Sequence, residues 1–326
     1  MNRTDAPPSS LVGITLILTT LLGWSSIPLF LRHFAELIDP WTSNGWRYGF
    51  SALLWLPVLL VAGSRRRLPR GLWRAAIVPS CLNALGQITF TYSHYKIDPG
   101  LLTFGLRTQI IFAAAGAYLL FPIERAIVRS PLYLAGGVLV ILGTSGTLLL
   151  GGREITGDYA LGLVLAITSG MLFAGYGLAV RKYMVGMNAV LAFAAISQIT
   201  AVTLVVLMLW KGTDLGLAAW RLPAAQFNLL LLSAVIGIAL GHVFYYMSIA
   251  RLGVAVSAGV LQLQPFGVAV GSYLLFNEVL SAGQWTSGFV AVAGAIAMLA
   301  VQWRLSQRRR RDARAAAALA AAGTPR

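Results

Sequence analysis

Apolar residues run along this chain in long blocks separated by short polar stretches. Ten such blocks can be drawn, at 11–31, 43–63, 72–95, 100–121, 131–150, 160–180, 189–210, 226–249, 254–276 and 284–303. Crossing about 30 Å of hydrocarbon takes about 20 helical residues at 1.5 Å each. Strands of a membrane barrel would alternate in polarity over about ten residues, and runs such as Leu229–Leu232 and Leu161–Ile167 do not alternate. The pattern therefore predicts an all-α integral membrane protein of about ten transmembrane helices. The first block, Leu11 to Leu31, exceeds a signal-peptide core of about 7–15 residues and is followed at once by another block. It is expected to be a retained helix.

Composition agrees with this picture. Hydrophobic residues make up 58% of the chain and charged residues 11%, where a soluble domain carries about 25% charged. Mean hydropathy is +0.76. Almost nothing lies outside the blocks, so function is expected among the helices or their short loops. The net charge of +15 is informative through its placement. With both termini cytoplasmic, 18 of the 25 Lys and Arg fall inside, including the 65–74 loop and the 304–326 tail, while Arg32, Lys96, Arg153, Lys211 and Arg221 fall outside and Arg47 and Arg107 lie within blocks. This asymmetry follows the positive-inside rule. A multi-pass protein of a bacterial inner membrane is expected. The Arg308–Arg311 run is read as a topology anchor facing anionic lipid, not nucleic acid, and Ala315 to Ala322 as a weak helix or disordered segment. Asn2-Arg3-Thr4 is a chance glycosylation match. Cys81 is the single cysteine, so no intramolecular disulfide can form.

The chain also repeats itself. At an offset of 154 residues Tyr92 falls on Tyr246 and Glu124 on Glu278, and a helix with glycines six apart follows each glutamate: Gly137 and Gly143, Gly288 and Gly294. Five helices per half is an odd number, so the halves (1–150 and 151–303, with 304–326 as a basic tail) would cross the membrane in opposite senses. Inverted repeats are a hallmark of secondary transporters, because two related halves rocking about a central site produce alternating access.

These residues carry a resemblance. Trp46-Arg47-Tyr48 at the start of the second helix, Tyr92 through Gly100 with its counterpart Tyr246 through Val254, and Gln262-Leu-Gln-Pro265-Phe running on to Glu278 resemble the EamA-type branch of the drug/metabolite transporter superfamily over essentially the whole chain. The resemblance implies a ten-helix permease, usually an exporter. The first half departs from it: Ile111 stands where the proline would fall, which leaves a matching bend of the fourth helix without a sequence signal.

Polar residues within the blocks are the candidate substrate contacts, because a charge at mid-span costs roughly 2.5–3.5 kcal/mol on insertion scales and seeks a cavity or partner. Arg107 is read either as a cation holding a substrate carboxylate or as an arginine that snorkels or bonds backbone carbonyls. Arg47, near a helix start, is read as snorkelling. Asn83, Gln87 and Thr91, at i, i+4 and i+8, share a face, which lines a cavity or glues helices. His242, followed by Tyr245 and Tyr246, could relay protons or be structural. Gln262 and Gln264 precede Pro265, whose ring frees a carbonyl. Trp24, Ser25 and Tyr176 could meet a substrate ring, whereas Trp41 and Trp46 are read as interface anchors. Gly237/Gly241 and Gly267/Gly271 are small-xxx-small packing pairs.

Absences narrow the function further. Asp39, Asp98, Asp158, Asp214, Glu124 and Glu278 all sit at block ends or in loops, which disfavours a pump built on a central glutamate. His33, His94 and His242 are scattered, with no metal-ligand or nucleotide-binding motif. No cofactor and no metal are expected. The leading expectation is a secondary permease, an exporter by resemblance, for a small polar metabolite such as an amino acid, acting as a monomer or homodimer in contact with lipid. Efflux of amphipathic drugs is the alternative within transport, and a polytopic membrane enzyme the alternative outside it.

Overall fold

The computed structural model describes residues 10–122, 125–150, 157–252, 257 and 260–322. Glu124, Arg153, Arg3, Arg326 and the Asn2 sequon lie outside these residues. Every element among them is helical: α1 (Ser10–Phe34), α2 (Pro40–Ser64), α3 (Leu72–Ser93), α4 (Pro99–Leu106), α5 (Gln109–Leu120), α6 (Arg125–Val128), α7 (Pro131–Leu149), α8 (Gly157–Tyr183), α9 (Ala189–Lys211), α10 (Ala224–Ala234), α11 (Gly241–Leu252), α12 (Gln264–Phe276) and α13 (Ala282–Ala322). A π-helical turn, Val235–Leu240, joins α10 to α11.

Local chemistry sets the helix starts. Asp39, Asp98 and Ser130 precede α2, α4 and α7, each opened by a proline whose missing N–H costs nothing in the first turn. The Asp39 carboxylate accepts from the Trp41 and Thr42 amides at 3.0 and 2.9 Å and from Thr213 N at 2.9 Å, tying the α2 start to the loop after α9. Asn188 caps α9 in the same way.

Among the described residues, eight helices are long and apolar enough to cross a membrane. The α4–α5 pair counts as one of these, Pro99–Leu120, and α10–α11 as another, Ala224–Ser248. Two expected spans are not among the eight. The helix α3 has the length, but Arg74, Asn83, Gln87 and several hydroxyls dilute its hydropathy. The 254–276 span is described as a continuous helix only over Gln264–Phe276. The outward faces are apolar: Leu22, Leu60, Leu119 and Leu274 are all exposed, a surface suited to lipid and not to water. The helix α13 continues without a break beyond residue 303 to Ala322.

The helices pack in exchanged pairs. The helix α3 lies on α8 while α11 lies on α1, and α4 and α5 lie on α8 while α12 lies on α1. Three further contacts join equivalent helices of the two halves: α2 with α9, α4 with α12, and α7 with α13. Glycines set the closest approach. A Cβ on Gly136 would stand 2.7 Å from the Gly294 carbonyl oxygen, and one on Gly143 would collide with Ala291. The backbones of α7 and α13 touch there, through Gly136 as well as the expected Gly143 and Gly294. Both small-xxx-small pairs seat on α1: Gly237 and Gly241 against Ile27 and Trp24, Gly267 and Gly271 against Ser25 and Leu29.

Candidate functional site

Two helix interruptions face each other in the interior. The first separates α4 from α5 at Arg107 and Thr108, where Arg107 N donates to Phe104 O (3.0 Å) and Thr108 N to Gly105 O (3.2 Å), a tightened turn with three-residue spacing. The second precedes α12, where Leu263 N donates to Val260 O and Phe266 N to Leu263 O, each at 3.1 Å. Gln264 begins α12, with Pro265 in its first turn, 155 residues after Gln109 begins α5. The break between α4 and α5 therefore matches the break before α12, although no proline marks it.

Arg107 spans the gap between the interruptions. Its Nε donates to Thr103 O at 3.3 Å, one terminal nitrogen to Leu261 O at 3.1 Å and the other to Gln264 Oε1 at 2.9 Å. All three acceptors are neutral, and among the described residues no carboxylate pairs with it. Three of five guanidinium N–H groups are thus used. Gln264 passes the connection on, its Nε2 donating to the Trp24 carbonyl at 2.8 Å. The carbonyl-bonding reading of Arg107 describes this state, and its charge remains uncompensated.

An aromatic wall adjoins this network. Trp24 packs at 5.3 Å between ring centroids against both His242 and Tyr245. His242 stacks on Phe193 at 4.8 Å and 16°, and Phe193 meets Tyr246 edge-on. Tyr246 and Tyr176 bring their hydroxyls to 3.5 Å. Trp24 Nε1 donates to Gly237 O at 3.0 Å, and His242 Nδ1 donates to Ile238 O at 3.2 Å. Four helices, α1, α8, α9 and α11, supply these rings. Positive charge beside a cluster of aromatic rings can hold an anionic group and an adjoining apolar or flat one.

The EamA-like transporter family model matches the chain twice, over residues 11–149 and 160–300. The chain belongs to the EamA-like transporter family. That family lies within the drug/metabolite transporter superfamily. No curated protein matches. Solved structures do: one, described only as the crystal structure of a protein, is 16% identical with a TM-score of 0.60, covering 93% of this chain and 99% of that one. At that identity the likeness speaks to fold alone.

The remaining candidates of this EamA-like chain fall in other places. Asn83 is buried and donates to Thr200 Oγ1 at 3.3 Å; Thr91 donates to Asn44 Oδ1 at 2.8 Å; the Gln87 carbonyl accepts from Asn44 at 3.3 Å. These bonds tie α3 to α2 and α9, so Asn83 and Thr91 join helices, and no recorded contact links Gln87 to the Arg107 network. Ser25 is buried against Gly267. Gln262 and Pro265 lie buried at the second interruption. Trp46 Nε1 donates to Gly216 O at 2.8 Å and its ring packs on Trp220 and Phe227. One expectation is overturned. Arg47 does not snorkel: it is 2% exposed and its Nε donates to Ser233 Oγ at 3.0 Å. Phe193 was missed because a phenylalanine in an apolar span carries no signal of its own.

At the end of the bundle carrying Phe34–Pro40, Ser272 donates to Glu278, which also faces Arg32 Nε at 3.5 Å. Burial pushes the Glu278 carboxyl up, with Asp98 adding to the shift and Ser272 and Arg32 opposing it. For Asp39 burial likewise acts upward, but the bonds from Thr42 and Thr213 prevail and hold it below the usual carboxylate range.

Proposed function

We propose that this protein is a secondary transporter that carries a small carboxylate-bearing metabolite, such as an amino acid, with Arg107 binding the carboxylate. The observation that carries this reading is Arg107 itself, a half-buried cation at the meeting of two interrupted helices whose partners are all neutral. A carboxylate is a stronger acceptor for a guanidinium than an amide or peptide carbonyl. Its arrival would displace Gln264 Oε1 and Leu261 O, and so remove the bonds that Arg107 makes to the start of α12. Binding would then loosen one contact between the two halves, which is what alternating access requires.

The wider reading has ten spans in two inverted five-helix repeats, both termini cytoplasmic, in a bacterial inner membrane, with export as the direction. The twofold family match and the exchanged helix pairs support the repeats. The distribution of Lys and Arg supports the orientation. The aromatic wall also favours a second reading, efflux of amphipathic drugs.

Counterflow in proteoliposomes with a pooled panel of labelled amino acids separates the two. Saturable exchange of a carboxylate-bearing class, abolished in folded Arg107→Gln protein, is the expected result. Movement of a cationic dye with no amino-acid exchange would replace the first reading with the second.

A further inference from the structure

A second arginine is more deeply enclosed than the first and has fewer partners. Arg47 sits seven residues into α2, is 2% exposed, and holds one hydrogen bond, from Nε to Ser233 Oγ. One of its terminal nitrogens, NH1, is buried with no partner. Taking a guanidinium out of water costs several kcal/mol that good pairing must offset, and one hydroxyl does not offset it. The acids at this end of the bundle are engaged elsewhere. Asp39 caps α2 and bonds Thr213, while Glu278 takes Ser272 and Arg32. His94, also fully buried, lies within electrostatic reach of Arg47 and Arg32. Its Nδ1 donates to Phe90 O at 2.8 Å, and its Nε2 has no partner. Arg47 therefore carries a buried positive charge and an unused donor.

It also adjoins the central site. Gly237, in the π-helical turn, accepts from Trp24 Nε1 through its carbonyl, and a Cβ added to it would stand 3.6 Å from the Arg47 NH2 nitrogen. Arg107, Gln264, Trp24, Gly237 and Arg47 are thus successive neighbours. Ile27, beside Gly237, is one helical turn further along α1 than Trp24, towards the Phe34 end. A π-helical turn is a frequent feature of functional sites in helices.

We propose that Arg47, held in place by Ser233, forms a second carboxylate-binding station, one step from Arg107 towards the Phe34–Pro40 end of the bundle, with Trp24 and Gly237 as the partition between the two. Its place on a transport route rests on the function proposed above. Its existence as an anion site rests on the enclosure alone. The ligand class is a small monoanion whose planar, two-oxygen face fits the guanidinium fork.

Thermal unfolding of the purified protein, with sodium acetate titrated against sodium chloride at constant ionic strength, tests it. Wild type, Arg47→Gln, Arg107→Gln and the double variant are compared. Each single variant is expected to keep a saturable rise in Tm with acetate, and the double variant to lose it. Loss of the whole response in Arg107→Gln overturns the Arg47 station and leaves the central site standing. A response lost in Arg47→Gln and unchanged in Arg107→Gln supports the station and removes the carboxylate role of Arg107. No response in any protein overturns both. Should Arg47→Gln not fold, Arg47→Lys in the Arg107→Gln background keeps the charge without the fork. Its acetate midpoint is expected to rise at least fivefold, by roughly the 1 kcal/mol that separates a bidentate from a single contact, and an unchanged midpoint overturns the proposal.

Discussion

The break between α4 and α5 and the break before α12 stand at matching positions and are made by different chemistry. Before α12, Pro265 lacks an N–H, so the chain before it is free of the helical bond that would hold it straight. Between α4 and α5 there is no proline: Ile110 N and Ile111 N donate to Arg107 O and Thr108 O at 3.1 and 2.9 Å. What distinguishes that turn is a side chain. Arg107 bonds back to Thr103 O and across to Leu261 O and Gln264. One half is opened by its backbone and the other by a charge that grips the opening in its partner. A symmetric architecture thereby acquires an asymmetric centre, with the cation on one side and its neutral acceptors on the other.

Removing the charge breaks the comparison most severely. Arg107→Gln should cut counterflow by roughly 100-fold, the loss of about 2–3 kcal/mol from charge-assisted bonds, while size-exclusion profiles stay monodisperse. Next comes Gln264→Leu, which removes both the Arg107 and Trp24 bonds on the α12 side. Stability should fall by about 2 kcal/mol, read by thermal unfolding, and transport by about tenfold. Ile110→Pro puts a proline at the second position of α5, as Pro265 is the second of α12 (the helix starts match one residue earlier than the sequence offset that pointed to Ile111), and deletes only the bond to Arg107 O. It should fold, with a loss of about 1 kcal/mol; an unfolded product would show that the two interruptions are not equivalent. Pro265→Ala should matter least, with transport within about twofold of wild type, because the fourth span shows that this turn forms without proline.

Much of this was legible in the sequence. Blocks of apolar residues marked the helices, and Pro265 marked one interruption. Arg107 stood out because a charge in an apolar block has few explanations. The matching turn in the fourth span was not legible, because its cause is a tertiary contact to residues more than 150 positions away. Arg47 was misread for a similar reason. Near a helix start a long cationic side chain ordinarily reaches water, but here Ile27 and the π-helical turn around Gly237 close over it. The stripe Asn83, Gln87 and Thr91 showed a face but not its neighbour, and only the packing of α3 on α2 and α9 identifies Asn83 and Thr91 as joints.

The central claim is that Arg107 recognises a carboxylate. For whichever amino acid exchanges in counterflow, competition by the free acid and by its C-terminal amide should be compared in wild type and in Arg107→Gln, the latter read by residual exchange or binding. Wild type should prefer the acid by at least about tenfold, or 1.4 kcal/mol, and Arg107→Gln should lose that preference. An acid preference that survives intact in Arg107→Gln would contradict the account.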